Sequence, residues 1–256
     1  MTQSLPISPV EITNPAGGSA AVLVCEHASH FIPADLHHLG LTIDARQSHA
    51  AWDPGALAVA QRLSRRLDAP LVASTVSRLV YDCNRPPSAG DAMPIRSEVI
   101  DIPGNRDLCD VDRAARAANY YTPFRQALAA QIAAHPAPVL ITIHSFTPVY
   151  FGEPRAVEIG VLHDSDGRLA DAMLATAAQH TDALVLRNAP YGPEHGVTHT
   201  LREHALPGGH LNVMLEIRND LIQTQDQQTA MGDMIAAWLA DAADRTTAKG
   251  AIQCVA

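Results

Sequence analysis

Six short apolar runs constrain what this chain of 256 residues can fold into. They are Ala20–Cys25, Leu71–Thr75, Val139–His144, Glu158–Leu162, Ala183–Arg187 and Asn212–Ile217. Most are continuously apolar, the pattern of strands covered on both faces of a sheet. Helical periodicity fills the gaps between them. Pro54–Leu67 opens with Asp53 as its N-cap and Pro54 at the first helical position. Val111–Ala134 follows Asp110 and is broken near Pro123, and Arg168–His180 comes next. Thr224–Ala243 carries Met231, Ile235, Trp238 and Leu239 on one face. This alternation predicts an α/β fold of three layers, αβα, around a mainly parallel or mixed sheet. The length suits one domain over residues 1–256, with a polar tail from about residue 246.

Two segments escape the periodic scheme. Arg85–Asp110 and Asn188–His210 are rich in Pro, Gly and charge or His, and long irregular segments in a domain are usually functional or disordered. The formal charge of -9, with Lys249 as the one lysine, argues against nucleic acid or an anionic membrane as partner. Seventeen arginines remain. They suit planar, two-point recognition of carboxylates, although a GC-rich genome produces the same bias. Cys25, Cys83, Cys109 and Cys254 are scattered, which is no disulfide framework and fits a reducing cytoplasm. The N-terminal stretch lacks the basic and apolar regions of an export signal, and no apolar run reaches the roughly 18 residues of a membrane span. The expectation is a cytoplasmic protein; oligomeric state is not encoded legibly.

Reactive side chains collect where the strands end, the place where open parallel sheets bind ligands. The first run leads into Glu26 and His27, another ends in His144, and the last contains Glu216, while Asp53 stands where a helix begins. Two imidazoles, a carboxylate and a spare glutamate from separate strands match a catalytic zinc site, which uses three protein ligands and an open position for water. The spare carboxylate then takes a proton from that water, and imidazole ligands favour zinc over magnesium. Each residue also has a plain alternative. A strand-end histidine serves as a hydrogen-bonded loop residue, Asp53 as a helix cap, and Glu216 as the partner of Arg218 on the same strand face. Cys25 and Cys83 read as small buried hydrophobes rather than nucleophiles.

Four strings carry a resemblance. "VCEHASHFIPADLHHLGL", "HAAWDPGALAVAQRL", "SRLVYDCNRP" and "NVMLEIRNDLI" are similar to the N-formylglutamate amidohydrolase family, over about Val22 to Ile222. The resemblance implies a zinc-dependent hydrolase of the phosphorylase/hydrolase-like α/β fold, related in architecture to zinc carboxypeptidases and zinc N-acetylmuramoyl-L-alanine amidases. Carried over by motif, His27, Asp53 and His144 are the implied ligands and Glu216 the base. Asp53 stands where the amidases have glutamate, which leaves Glu26 and His49 as competitors for the third ligand. His49 lies four residues before Asp53 and shares its face if the helix reaches back that far. It is otherwise an outer or substrate group.

The implied substrate, a small anionic N-acyl amino acid such as N-formylglutamate, carries carboxylates that an arginine fork binds through two hydrogen bonds. Arg78 and Arg85 are the first candidates for binding substrate or anchoring a loop, with an Arg85–Asp82 brace as the alternative. If the segment stays extended, Arg78, Asp82 and Asn84 share one side. Asp82 is also a possible outer group or alternative ligand. Arg155 follows His144 on a loop, Arg218 and Asn219 close the last strand, and His199 is a candidate oxyanion donor. The implied reaction gives glutamate and formate and belongs to histidine degradation. Two other classes compete: a zinc peptidase or muramyl amidase, which needs a longer groove and usually an export signal, and a binding protein that keeps the fold without turnover.

Overall fold

A computed structural model describes residues 8–255. Strands form at all six apolar runs, within two residues of the expected ends. The strands are β1 (Val10–Thr13), β2 (Ala21–Cys25), β3 (Leu71–Ser74), β4 (Arg96–Ser97), β5 (Ile100–Asp101), β6 (Val139–Phe146), β7 (Val149–Tyr150), β8 (Glu153–Pro154), β9 (Ile159–Leu162), β10 (Val185–Arg187) and β11 (Asn212–Arg218). The helices are α1 (Ile43–Gln47), α2 (Ala56–Leu67), α3 (Asp110–Arg116), α4 (Thr122–Ala133), α5 (Arg168–His180), α6 (His199–His204) and α7 (Gln225–Asp244). Strand β1 and the ribbons β4–β5 and β7–β8 lie outside the apolar pattern. The short α6 sits in the segment read as irregular.

One seven-stranded sheet runs in the order β1-β3-β2-β6-β11-β9-β10. Its centre is parallel, from β3 through β2 and β6 to β11. At one edge β1 is antiparallel to β3, and beyond the centre β9 is antiparallel to β11, so the sheet is mixed. The chain passes from β6 to β9 through only the β7–β8 ribbon. With no helix to return it to the starting edge, β9 must run the other way. Helix α5 then supplies that crossover, and β10 is parallel to β9.

Alternate strand residues point to opposite faces, and each face has its own core. Leu23, Ile141 and Leu215 pack with α2, α5 and α7 on one side, around the fully buried Trp238. Val24, Leu140 and Met214 pack with Tyr81, Phe124 and Leu128 on the other. That is the expected αβα layering. Thr224 caps α7, accepting from the Gln227 N–H. A π turn at Ala117–Tyr121 joins α3 to α4, with Pro123 in the first turn of α4, which is the interruption foreseen there. The 26-residue segment after Asn84 is ordered by contacts: Asn105 Nδ2 donates to the carbonyls of Leu79 and Pro94, and Arg116 Nη1 donates to Asn105 Oδ1. The segment from residue 246 also returns to the body, where Ile252 is buried and Ala20 N–H donates to the Ala251 carbonyl.

Two glycines shape the region of the strand ends. Helix α2 starts two residues later than expected, with Gly55 as its N-cap at φ +84°, so Asp53 is not the cap. A Cβ at Gly55 would lie 2.5 Å from the Ile222 carbonyl oxygen. The left-handed turn there frees the Asp53 carboxylate from the helix. Gly160 on β9 is the register partner of Glu216, and a Cβ on it would meet the Ala189 carbonyl oxygen at 2.0 Å. Gly160→Ala is therefore expected to cost about 1–3 kcal/mol of stability through overpacking, read as a lowered urea midpoint at unchanged slope.

Candidate functional site

The ends of β2 and β6 and the loop before α2 meet at one point. His27 follows β2, His144 lies in β6, and the Asp53 N–H donates to the His27 carbonyl at 2.9 Å, tying the loop to the first strand. Ser145 completes the tie: its N–H lies 3.3 Å from Asp53 Oδ2, and its Oγ donates to the Pro54 carbonyl at 2.8 Å. All three candidate ligands are buried.

Their contacting atoms form a tight triangle. His27 Nδ1 is 3.2 Å from Asp53 Oδ2, His144 Nδ1 is 2.9 Å from the same oxygen, and the two Nδ1 atoms are 3.2 Å apart. Ligands at about 2.0–2.1 Å from a tetrahedral zinc are about 3.3 Å from one another, so the triangle already has the scale of a coordination shell. The outer nitrogens face carboxylates. His27 Nε2 is 2.7 Å from Asp82 Oδ1, and His144 Nε2 is 3.1 Å from Glu26 Oε2. An imidazole that shows one nitrogen to a shared centre and the other to a carboxylate is oriented as metal-bound histidines are.

Asp82 and Arg78 close the arrangement. Arg78 Nη2 donates to Asp82 Oδ2 at 2.9 Å, and its Nη1 lies 3.5 Å from Asp53 Oδ1. The segment after β3 is a turn rather than an extended run, held by Ser77 Oγ on the Ala51 carbonyl. It brings Arg78 and Asp82 together by i to i+4 spacing. The expected Arg85–Asp82 side-chain brace is not formed; Arg85 Nε pairs with Asp91 at 2.7 Å.

Charge explains how such a group stays buried. Burial disfavours every ionised carboxylate here, yet His27 and His144 outweigh it at Asp53, His27 and Arg78 outweigh it at Asp82, and His144 outweighs it at Glu26; all three are held below the usual carboxylate range. Burial and Arg78 oppose charge on His27, but Asp82 and Asp53 raise its pKa; burial opposes charge on His144 too, but Glu26 and Asp53 raise it well above the usual value. Three carboxylates face one guanidinium and two imidazoles whose pKa values are raised. One divalent cation would carry the same charge as a proton on each ring, so the donor set fits such an ion.

Glu216 stands apart from this balance. It is the register partner of His144 on the adjacent strand, and its Oε2 is buried with no hydrogen-bond partner. Burial, reinforced by Asp53, pushes its carboxyl up to about 7. It lines a cavity of about 290 Å³ with His27, Asp53, His144 and Arg78. Burial likewise raises the Cys25 and Cys83 thiols, which leaves them protonated and unreactive.

The other sequence candidates are placed unevenly. Glu26 lies behind His144, outside the triangle. His49 reaches the cavity wall from a turn, not from an extended α2, and its Nε2 bonds to Glu98 Oε2 at 2.8 Å. Asn84 also faces the cavity but accepts from the Thr200 N–H and hydroxyl. His199 opens on a neighbouring cleft and bonds the Tyr121 hydroxyl at 2.8 Å, so the structure does not bring it to the strand ends as an oxyanion donor. Arg218 is engaged by Asp220 and Glu158, and Asn219 borders a different cleft. Sequence reasoning missed Glu98, Tyr150 and Tyr191, which line the cavity. They sit on ribbon tips and loops, and no periodic or motif signal marks them.

The arrangement defines a class, an α/β enzyme whose reactive groups converge where parallel strands end. The profile of the N-formylglutamate amidohydrolase family matches residues 19–223. The chain belongs to that family, and it is a hydrolase acting on amide bonds. A crystal structure of a gene product from Agrobacterium tumefaciens is 53% identical, with a TM-score of 0.89 over 93% of this chain and 96% of that one. The crystal structure of N-formylglutamate amidohydrolase from Ralstonia eutropha JMP134 shares the fold at 20% identity, with a TM-score of 0.60 over 91% of this chain and 98% of that one. No curated protein matches the chain.

Binding of a divalent cation is expected to release protons and to strengthen as pH rises, because the raised imidazoles must give up protons to coordinate. Calorimetry in buffers of different ionisation enthalpy reads that release. For the metal-free protein the same shifts give a sign to stability. The contribution of the raised imidazoles is complete below pH about 6.5, the ordinary imidazole value, and is lost as pH rises through their folded values. Added cation should restore the melting temperature on the alkaline side. Asp82→Asn is expected to weaken cation binding roughly 10- to 100-fold by loosening His27.

Proposed function

We propose that this protein hydrolyses the amide of an N-formyl amino acid, with N-formylglutamate as the lead substrate, at a zinc ion held by His27, Asp53 and His144. The observation that carries this reading is the triangle of Nδ1, Nδ1 and Oδ2 atoms at 2.9–3.2 Å, with each imidazole backed by a carboxylate. Two imidazoles and one carboxylate suit zinc better than magnesium or calcium. When bound, the ion supplies Lewis acidity, polarising the acyl carbonyl and bringing the pKa of water toward about 7.

The chain's own residues do the rest. Glu216 is the candidate to take a proton from the attacking water: it lines the cavity beside His144, and its Oε2 has no competing hydrogen bond. A carboxylate raised toward neutrality also returns that proton readily, so Glu216 hands it to the departing amine. Asp82 and Arg78 hold His27 and Asp53 in place throughout. The products are formate and the free amino acid. A cavity of about 290 Å³ suits a small N-acyl amino acid rather than a polymer, which favours this reading over a muramyl amidase or an extended peptidase.

Glu216→Gln is expected to lower kcat roughly 10²- to 10⁴-fold while zinc content stays at the wild-type level. Chelation should abolish formate release from N-formylglutamate, and zinc should restore it. Turnover indifferent to chelation would overturn the metal-dependent reading. The acid limb of kcat/KM should be a fall in rate as pH drops through the Glu216 pKa, since only the ionised carboxylate accepts the proton.

A further inference from the structure

The lead substrate carries carboxylates, and four arginines were singled out as their receptors. In three the guanidinium is already occupied. Arg78 is shared between Asp82 and Asp53. Arg85 pairs with Asp91 and donates through Nη1 to the carbonyls of Asn84 and Gly196. Arg218 pairs with Asp220 and Glu158. Arg155 differs from all of these. It has no carboxylate partner among the described residues, and its Nη1 is buried without any hydrogen-bond partner. A buried N–H left unpaired on a charged group is costly, and such groups are matched by water or a ligand when the protein does not match them.

Its guanidinium packs against residues of the cavity wall. The guanidinium carbon lies 4.3 Å from the centre of the Tyr150 ring, 4.9 Å from that of Tyr191 and 5.6 Å from that of Phe146. All three rings line the cavity that holds His27, Asp53, His144 and Glu216. Stacking on aromatic faces keeps a guanidinium planar, partly dry and fixed in direction, which suits an arginine to read a carboxylate. Glu98, the acid that feels the Arg155 charge, is turned instead to His49 and to the Phe151 N–H. Arg155 itself is anchored through its backbone, with its N–H on the Pro148 carbonyl and its carbonyl accepting from Arg218.

We propose that Arg155, held by Tyr150 and Tyr191, is the receptor for a substrate carboxylate and so determines that the enzyme prefers anionic N-acyl amino acids. This rests on the hydrolase reading of the site. Either the α-carboxylate or a side-chain carboxylate presents the required chemistry, and the two are separable by neutralising one at a time.

The test uses the zinc-loaded enzyme with N-formylglutamate, N-formylglutamine and N-formylisoglutamine, in wild-type, Arg155→Met and Arg155→Lys proteins matched for zinc content and melting temperature. In the wild type, the amide that lacks the recognised carboxylate should be poorer by roughly 10- to 100-fold in kcat/KM. Arg155→Met should raise KM for N-formylglutamate by a similar factor with kcat nearly constant, and should change the poor amide far less. Arg155→Lys should recover part of the loss. Equal use of all three substrates by the wild type would overturn the assignment. So would an equal loss on all three in Arg155→Met, since that marks a pillar for the rings and not a receptor. If the wild type turns over none of them, calorimetric binding of N-acetylglutamate decides. Binding that weakens in Arg155→Met upholds the receptor while the reaction falls, and no binding overturns both.

Discussion

Burying three carboxylates side by side is the constraint on which the rest of this structure depends. Glu26, Asp53 and Asp82 are each almost fully excluded from solvent. Unpaired, any one of them would be strongly unfavourable there. Arg78 supplies one compensating charge, and two more must come either from protons on His27 and His144 or from a bound dication. Protons on both rings and one bound dication would bring the same total charge. At Glu216 burial, with Asp53 adding to it, outweighs the pull of His144, His27 and Arg78, and its pKa is raised.

Backbone structure sets where these groups stand. His144 and Glu216 are opposite one another in a parallel ladder, so their separation is fixed by strand pairing and not by side-chain reach. Asp53 reaches the same point because Gly55 turns the chain in the left-handed region before α2 begins. The N–H and hydroxyl of Ser145 then join that turn to the end of β6. A strand, a strand end and a braced turn present the candidate ligands, which suits a coordination shell with little tolerance for displacement.

What could be read from the sequence follows from how local each signal is. The buried strands were legible because continuous apolar runs are themselves the physical cause of the layers, and His27, His144 and Glu216 inherit their positions from those strands. Asp53 was legible as a candidate ligand but assigned a cap it does not form; a left-handed glycine two residues on carries no hydrophobic signature. Strand β9 was found while its direction was not, since direction depends on the absence of a crossover helix between β6 and β9. An extended segment would put Arg78, Asp82 and Asn84 on one side; the turn after β3 instead makes Arg78 and Asp82 an ion pair. His199 and Asn219 border neighbouring clefts, and which cleft a loop residue enters is a property of the loop's path. Tyr150, Tyr191 and Glu98 were invisible for the same reason.

The β7–β8 ribbon makes the chain reverse after β6, and it also presents Tyr150 to the cavity while Arg155 follows directly behind it. Groups proposed for bond cleavage stand at the ends of central strands, and Tyr150 and Arg155, proposed to meet a substrate carboxylate, belong to this excursion. Insertions, deletions and exchanges within the ribbon can therefore alter which molecules are accepted without moving His144 or Glu216. A scaffold so partitioned can diversify its diet while its reactive centre stays as it is.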